Sequence, residues 1–362
     1  MNECAELRDI WNGLASNCPS YFPWLTFEWF DLCINHFYHS TAVLVLLISR
    51  EDNLVAIAPL FTTTKKHNSG VTLKTIEFIG SVHSPIKSFI IPDTNDDERH
   101  NILSFILHFF TRIYKNWDMI RLNAIPEEND VARILQQLLY TAGLKYTQYT
   151  SELNLYSDSL PCHFTHFLAT LPKNLKRNII RYRTRLDKLG NSRFQMKTDN
   201  DSIDSYFDLY DELRRKSWKA PEKDRTFNRE FFKIAADNGW LRLALLFLDD
   251  NLIAAGKYIV HNRIGYGVDS VYDSAYAKYS PGTLLTSEIF KYLIDTDNVF
   301  EIDLGPGDHP YKREWTRNVR KRKALTIFNN SPKGQALAFL ATFIKPILKK
   351  WRFPVSAREG SH

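Results

Sequence analysis

Two runs in the C-terminal half of the chain combine residue types that can do chemistry. The first is Tyr266-Gly267-Val268-Asp269-Ser270-Val271-Tyr272, followed by Asp273 to Tyr279 and then Ser280-Pro281-Gly282-Thr283-Leu284-Leu285. A strand ends near Val271 and a helix begins at Ser280-Pro281-Gly282. Ser at the cap, Pro next and Gly after it expose the backbone N–H groups of Gly282, Thr283 and Leu284. Those donors, the helix dipole and the neighbouring Lys278 and Tyr279 suit a phosphate-like anion. The second run is Phe300-Glu301-Ile302-Asp303-Leu304-Gly305-Pro306-Gly307-Asp308-His309-Pro310-Tyr311-Lys312-Arg313-Glu314-Trp315. Asp269 and Asp303, each at a strand end, are candidate general bases or orienting acids. A carboxylate of pKa about 4 is a weak base unless burial raises it. Tyr311 is a candidate proton donor or a packing residue, and Lys312 a cation for a developing or resident negative charge. Tyr272, Asp308 and Trp315 complete a candidate substrate surface. The plainer alternatives are an ordinary helix start and a turn bearing a surface lysine.

The elements that position these residues occur twice. Ala42 to Ser49 is an apolar strand run, Glu51-Asp52-Asn53 a turn, and Leu54 to Phe61 a returning strand. Leu241 to Leu248, Asp249-Asp250-Asn251 and Leu252 to Val260 repeat that plan, with Asp-Asn-Leu-Val-Ala at 52–56 against Asp-Asn-Leu-Ile-Ala at 250–254. Helical sequence precedes each hairpin (26–38; 202–218 and 228–238). Each is followed by a strand, a longer helix and another strand: 73–79, 98–114 and 117–123, then 264–271, 282–294 and 299–303. The prediction is an α/β (α+β) chain of two tandem lobes, each a mixed, mostly antiparallel sheet flanked by helices. Expected bounds are 1–160, 161–330 and a tail at 331–362. The lobes are unequal: the first copy's helix starts in Asp93-Thr94-Asn95-Asp96-Asp97-Glu98, whose carboxylates occupy the dipole themselves and repel a phosphate.

Residues 172–189 read as one helix between the copies, with Pro172 at its start and Gly190 past its end. Leu175, Ile179, Tyr182, Leu186 and Leu189 form one apolar stripe that docks between the lobes. Lys173, Lys176, Arg177, Arg181, Arg183, Arg185 and Lys188 make the other faces basic. Two readings stand: a solvated face, or a surface on which Arg177 and Arg181, together with Trp218, hold an anionic acceptor.

The runs Tyr272-Asp273-x-x-Tyr276-x-x-Tyr279-Ser280-Pro281-Gly282-x-Leu284-Leu285 and Ile302-Asp303-Leu304-Gly305-x-Gly307-Asp308-x-x-Tyr311-Lys312-x-x-Trp315 resemble the CelD/BcsL-like acetyltransferase family. That family is a branch of the GCN5-related N-acetyltransferases (GNAT) related to Fem-type aminoacyl transferases. The resemblance extends over most of 20–330 and takes in Phe27-x-Trp29, Leu54 to Leu60 and the basic helix. It implies an acyltransferase with acetyl-CoA or another acyl-CoA as donor, held at Lys278, Tyr279, Ser280, Gly282, Thr283 and Leu284. It further implies an amine or hydroxyl acceptor on a sugar-containing envelope or polysaccharide precursor, small or lipid-linked. Two departures stand out. Arg214 occupies the place of a histidine in a Leu-His-x-x-Arg-Trp element, so no base is carried over there, and Pro306 sits where the loop more often has another residue. The alternatives are a Fem-like enzyme taking its donor from aminoacyl-tRNA, the one reading that involves nucleic acid, and a non-catalytic scaffold.

Bulk properties fit two packed lobes: 362 residues, 44% hydrophobic, 24% charged and 14% aromatic, with a net charge of +6. Cys4, Cys18, Cys33 and Cys162 lack any pairing rhythm and read as free thiols. His163 and His166 have no partner ligand at metal spacing, and no metal is expected. Without a basic, apolar leader or an eighteen-residue apolar run, the expected location is the cytoplasm. The stretch 335–352, with Phe339, Phe343, Trp351 and late Lys and Arg residues, is amphipathic. It either docks on its own domain or touches the inner membrane surface peripherally.

Overall fold

Asp and Asn tolerate positive φ better than most residues, and both hairpin turns use that tolerance. Glu51 and Asp52 sit at φ 47° and 66°, and Asp249 at 51°. In the computed structural model, which describes residues 2–18, 22–38, 42–66, 71–80 and 84–344, the first turn joins β1 (Ala42–Arg50) to β2 (Asn53–Lys66). The second joins β7 (Leu241–Leu248) to β8 (Asn251–His261). The two hairpins share an irregularity. Ile48 pairs with Ala56 but Ser49 with Leu54, and Leu246 pairs with Ala254 but Phe247 with Leu252. Val55 and Ile253 are thus the extra residues of equivalent bulges. A shared bulge is a stronger sign of duplication than shared turn residues, because it fixes register as well as sequence.

The chain divides into two units, 1–151 with 322–362, and 152–321. The first contains α1 (Asn2–Ser16), α2 (Phe27–Phe37), β1, β2, β3 (Thr72–Phe78), α3 (Asp96–His108), β4 (Met119–Pro126) and α4 (Val131–Thr141). It also takes the start of β5 (Tyr146–Ser157), most of β11 (Asn318–Phe328) and α11 (Pro332–Phe339). Its strands run β1-β2-β3-β4-β11, antiparallel except for β3 beside β4. Ile76, Leu103, Ile106, Ile120, Leu135 and Leu139 belong to its core. As expected, α3 begins in its own carboxylates: Asn95 Oδ1 accepts from Glu98 N at 2.8 Å, and Asp96, Asp97 and Glu98 fill the first turn.

The second unit contains α5 (Phe164–Thr170), α6 (Lys173–Asp187), β6 (Ser192–Lys197), α7 (Ile203–Lys216), α8 (Arg225–Asp237), β7 and β8. After them come β9 (Ile264–Tyr272), α9 (Pro281–Asp295), β10 (Glu301–Pro306) and α10 (Pro310–Trp315). Its order is β6-β7-β8-β9-β10-β5. From β7 onward it repeats the first unit: hairpin, antiparallel neighbour, a parallel pair (β9 with β10), then an antiparallel strand. In α9, Leu284, Leu285, Ile289, Phe290, Leu293 and Ile294 are buried. At roughly 1.5–3 kcal/mol for each fully buried large apolar side chain, this face fixes the helix on the sheet and its N-terminus at the strand ends.

Several expectations need correction. The expected bounds at 160 and 330 fall instead at 151 and 321, because β5 and β11 each pass from one unit to the other. The helix expected over 98–114 stops being α-helical at His108 and closes with a π turn at Phe109–Ile113. Within unit 2, Leu175 and Leu186 of α6 join a core with Leu285 and Ile289, and Ile179 and Tyr182 pack on it. Leu189 lies beyond the helix and is exposed. In the tail, α11 ends at Phe339 and a π turn spans Leu340–Ile344; the late cations Lys345 to Arg352 lie outside the described residues.

Candidate active site

β9 and β10 pair only over Ile264–Tyr266 with Glu301–Asp303. Past that point β9 bulges at Val268, where Tyr258 faces Gly267 but Lys257 faces Asp269. β10 bends away at Gly305 (φ +75°) and Gly307 (φ +98°), backbone conformations that favour glycine. In a parallel strand–helix–strand unit, the carboxyl ends of both strands and the N-terminus of the connecting helix lie on one edge, where such sheets bind ligands. That edge gathers most of the candidate residues.

Lys312, on α10, is 5% exposed. Its Nζ donates to Gly305 O at 3.0 Å and Pro306 O at 2.7 Å, so the Gly-Pro-Gly bend is a carbonyl clamp for this amine. Burial drives its pKa down to about 8, against the pull of Asp303 and with a push from Lys219. Two of the three ammonium hydrogens are held, leaving one for a ligand. The carboxylate of Asp303 is 2% exposed: Oδ2 accepts from Asn154 Nδ2 at 2.7 Å and from Arg320, and Oδ1 from Gly305 N at 2.7 Å. Arg320 also donates to Glu301 Oε1 at 2.7 Å. Asp303 therefore ties the strand to the clamp, with three of its roughly four acceptor sites taken by Asn154, Arg320 and Gly305.

Asp269 is a second hub. Its Oδ2 accepts from Tyr210 Oη at 2.7 Å and from Arg214, and its Oδ1 from Lys219 Nζ at 2.7 Å. Burial alone would raise this carboxyl, but Lys219, Arg214 and Tyr210 outweigh it and hold it below the usual carboxylate range. A carboxylate so stabilised is a poor base. Under it lies a group that the sequence runs do not include. Lys257 is 2% exposed, stands 3.3 Å from the Glu222 carboxylate and 4.2 Å from the centre of the Tyr210 ring, and is lowered in pKa by burial first. Asn228 holds Glu222 from the other side at 2.8 Å. The signal was present: a lone lysine inside the otherwise apolar run Leu252 to Val260 has to be paired if that strand is buried.

At the start of α9, the donors are fewer than the sequence implies. Thr283 N and Leu284 N both donate to Ser280 O, at 3.0 and 3.3 Å, leaving the Gly282 N–H without an acceptor among the described residues. Gly282 packs closely on Tyr272, since a Cβ there would meet that ring at 3.3 Å. Leu284 itself is core. The charge, however, is richer than expected. Tyr182 of α6 is hydrogen-bonded to Ser280, and that bond and Arg181 hold its phenol below the ordinary value. The Arg181 guanidinium lies 4.9 Å over the Tyr182 ring, while Arg185 and Lys278 stand 5.4 and 5.1 Å from the Tyr279 ring centre. The basic helix thus lies beside the start of α9, through Tyr182 at Ser280 and Arg185 at Tyr279, with Arg181 stacked on Tyr182. Arg177 is exposed and donates to Asn174 Oδ1 at 3.1 Å.

The remaining candidates separate. Trp315 is 2% exposed and packs 5.1 Å from Phe290, which makes it core, not substrate surface. Asp308 is occupied by Arg313 through two bonds, at 2.5 and 2.6 Å. Trp218 is 67% exposed beside Lys219, and Tyr272 packs on the unit core. Half-exposed Tyr311 has its phenol raised by burial and by Asp269, so it stays protonated and able to donate. His163 and His166 meet edge to face at 5.9 Å, and no group of three possible metal ligands occurs among the described residues.

Comparison with solved structures places this architecture among known folds. A crystal structure of FemX is similar over 91% of this chain and 98% of its own, at TM-score 0.61 and 9% identity. The C-terminal domain of a putative lysylphosphatidylglycerol synthetase from Agrobacterium fabrum is similar over 93% and 97%, at 0.52 and 10%. A conserved protein of unknown function from Bacteroides thetaiotaomicron is similar over 89% and 97%, at 0.52 and 11%. At such identities the likeness is one of fold. No curated protein matches the chain. Residues 173–313, from the first residue of α6 past Lys312, match the family model of an acetyltransferase (GNAT) domain.

Proposed function

We propose that unit 2 transfers an acyl group from acetyl-CoA or another acyl-CoA to an amine or, less readily, a hydroxyl of a sugar-containing envelope or polysaccharide precursor. The observation that carries this reading is the pairing, at one edge of the β9–α9–β10 unit, of a cation-flanked helix start with a buried amine that keeps one free donor. The first suits a pyrophosphate. The second suits the carbonyl oxygen of a thioester, on which negative charge develops as the acceptor attacks. The acceptor nitrogen bonds to the carbonyl carbon and the C–S bond breaks. The protonated phenol of Tyr311 donates its proton to the departing thiolate, and the proton lost by the acceptor nitrogen restores that phenol, so amide and thiol are released with the enzyme unchanged. Asp269 and Asp303 act as positioning acids, the first for Lys219 and the second for the clamp. Within the GNAT group, the runs around Tyr272 and Lys312 favour the CelD/BcsL-like branch, working on the cytoplasmic side of an envelope pathway.

Calorimetry with acetyl-CoA tests the donor. Arg181→Gln combined with Lys278→Gln is expected to weaken acetyl-CoA about tenfold, since charge-assisted contacts contribute about 1.5–3 kcal/mol before exposure discounts them. Acetyl-pantetheine, which lacks the pyrophosphate, should be unaffected. Retardation of tRNA without acetyl-CoA binding would instead favour a Fem-like donor, and binding of neither a scaffold.

A further inference from the structure

One end of the unit 1 sheet combines cations and apolar side chains in a surface that the acyl-transfer site does not use. β2 ends and β3 begins there, with Lys65 opposite Leu73 and Lys66 opposite Thr72. Lys65, Lys66, Val71 and Lys74 are exposed. The segment before β4 comes alongside, because Lys74 Nζ donates to Asn116 Oδ1. It brings exposed Lys115 and Ile113, the latter 66% exposed. α11 starts at the same place: Lys333 Nζ donates to Thr72 O and, at 2.7 Å, to Asp118 Oδ2. Asp118 is buried and also accepts from Lys74 N at 2.7 Å. It is the one acid among the described residues of these segments, and it is already neutralised. Six residues past Lys333, about 9 Å along the helix, Phe339 begins an exposed trio with Leu340 and Phe343, the two rings 5.2 Å apart. The sequence from Pro332 to Trp351 contains no acid and goes on to Lys345, Lys349 and Lys350.

We propose that this edge of unit 1 is a peripheral contact surface for anionic phospholipid membranes. The lysines meet the headgroup charge, and Val71, Ile113, Phe339, Leu340 and Phe343 enter the headgroup–acyl boundary. The aliphatic members decide against a nucleic acid, which would satisfy the cations and leave Leu340, Ile113 and Val71 in water.

Flotation of the full-length protein with vesicles of phosphatidylcholine, alone or mixed with phosphatidylglycerol, tests this. Binding is expected only to the mixed vesicles, with release when salt is raised. Lys65→Gln, Lys66→Gln and Lys115→Gln together should lower partitioning on the order of 100-fold, each lysine near an anionic surface being worth roughly a factor of five. Phe339→Ser with Phe343→Ser should lower it about tenfold or more. Removing three exposed cations of α6 and its C-cap (Lys173→Gln, Arg177→Gln and Lys188→Gln) should leave it unchanged. Absence of binding by the unmodified chain, equal binding to neutral vesicles, or an equal loss from the α6 set overturns the proposal. So does retention of RNA by the same three lysines without vesicle binding.

Discussion

Lys312→Met is expected to lower kcat by roughly 10²–10³-fold while leaving the affinity for acetyl-CoA within about twofold. In the reaction proposed above, the substitution removes the donor to the developing charge, and such donors act in the transition state rather than on the resting cofactor. The pH profile gives the sharper test. Burial holds this amine at about 8, so a step needing the ammonium fades as pH rises through that value, well before an ordinary lysine would discharge. Turnover should fall above pH 8 in the natural chain, and the methionine variant should lack that limb. A limb rising through pH 8 would make Lys312 a base and sink the cation assignment. Stability moves the opposite way. With its folded pKa below its unfolded one, Lys312 imposes its full cost below about pH 8, and the cost is relieved as pH climbs toward the unfolded value near 10.4. Urea midpoints should therefore rise between pH 8 and 10 in the natural chain and stay flatter in Lys312→Met.

The second large effect is on folding. Asp269→Asn is expected to destabilise unit 2 by about 3–5 kcal/mol, the cost of breaking a largely buried ion pair from one side. Arg214 and Lys219 would lose their counter-charge and the Tyr210 hydroxyl its charged acceptor. A urea titration following tryptophan fluorescence would measure it; a loss under about 1 kcal/mol would mean the hub is solvated enough to be dispensable. Because the Asp269 carboxyl is depressed, its contribution is present above the unfolded carboxylate value and is lost as pH falls through the folded one. The natural chain should shed that stability in acid, and the asparagine variant should have little left to shed.

Local patterns carried much of the architecture. The hairpins, α6, α9 and the strand before Gly305 are legible because each is a short run with one dominant periodicity and clear turn residues. β11 is not: Asn318-Val319-Arg320-Lys321-Arg322-Lys323 reads as a charged surface run. In the fold, Arg320 is anchored by Glu301 and Asp303, and Arg322 is fully buried against Glu128. Their acids lie 17 to 194 residues away, beyond any local pattern. The site divides in the same way. Lys312 and the α9 start stand out by composition, whereas the partners that hold Asp269 and Asp303 include Tyr210, Lys219, Asn154 and Arg320, which only tertiary structure brings in. Trp315 failed for the converse reason, since an aromatic at helical spacing from a lysine looks the same whether it faces a ligand or the core.

The discontinuity of unit 1 has a consequence for biogenesis. β4 pairs with β3 on one side and with β11 on the other, yet β4 ends at Pro126 and β11 starts at Asn318. At ordinary elongation rates the ribosome needs roughly ten to forty seconds to make the intervening chain. Throughout that interval the nascent first unit presents a bare row of β4 backbone groups, while the uninterrupted segment 152–321 emerges after it. Ribosome-bound chains stopped before Asn318 should accordingly be the aggregation-prone, chaperone-dependent species, and that hazard should end when Phe328 clears the exit tunnel.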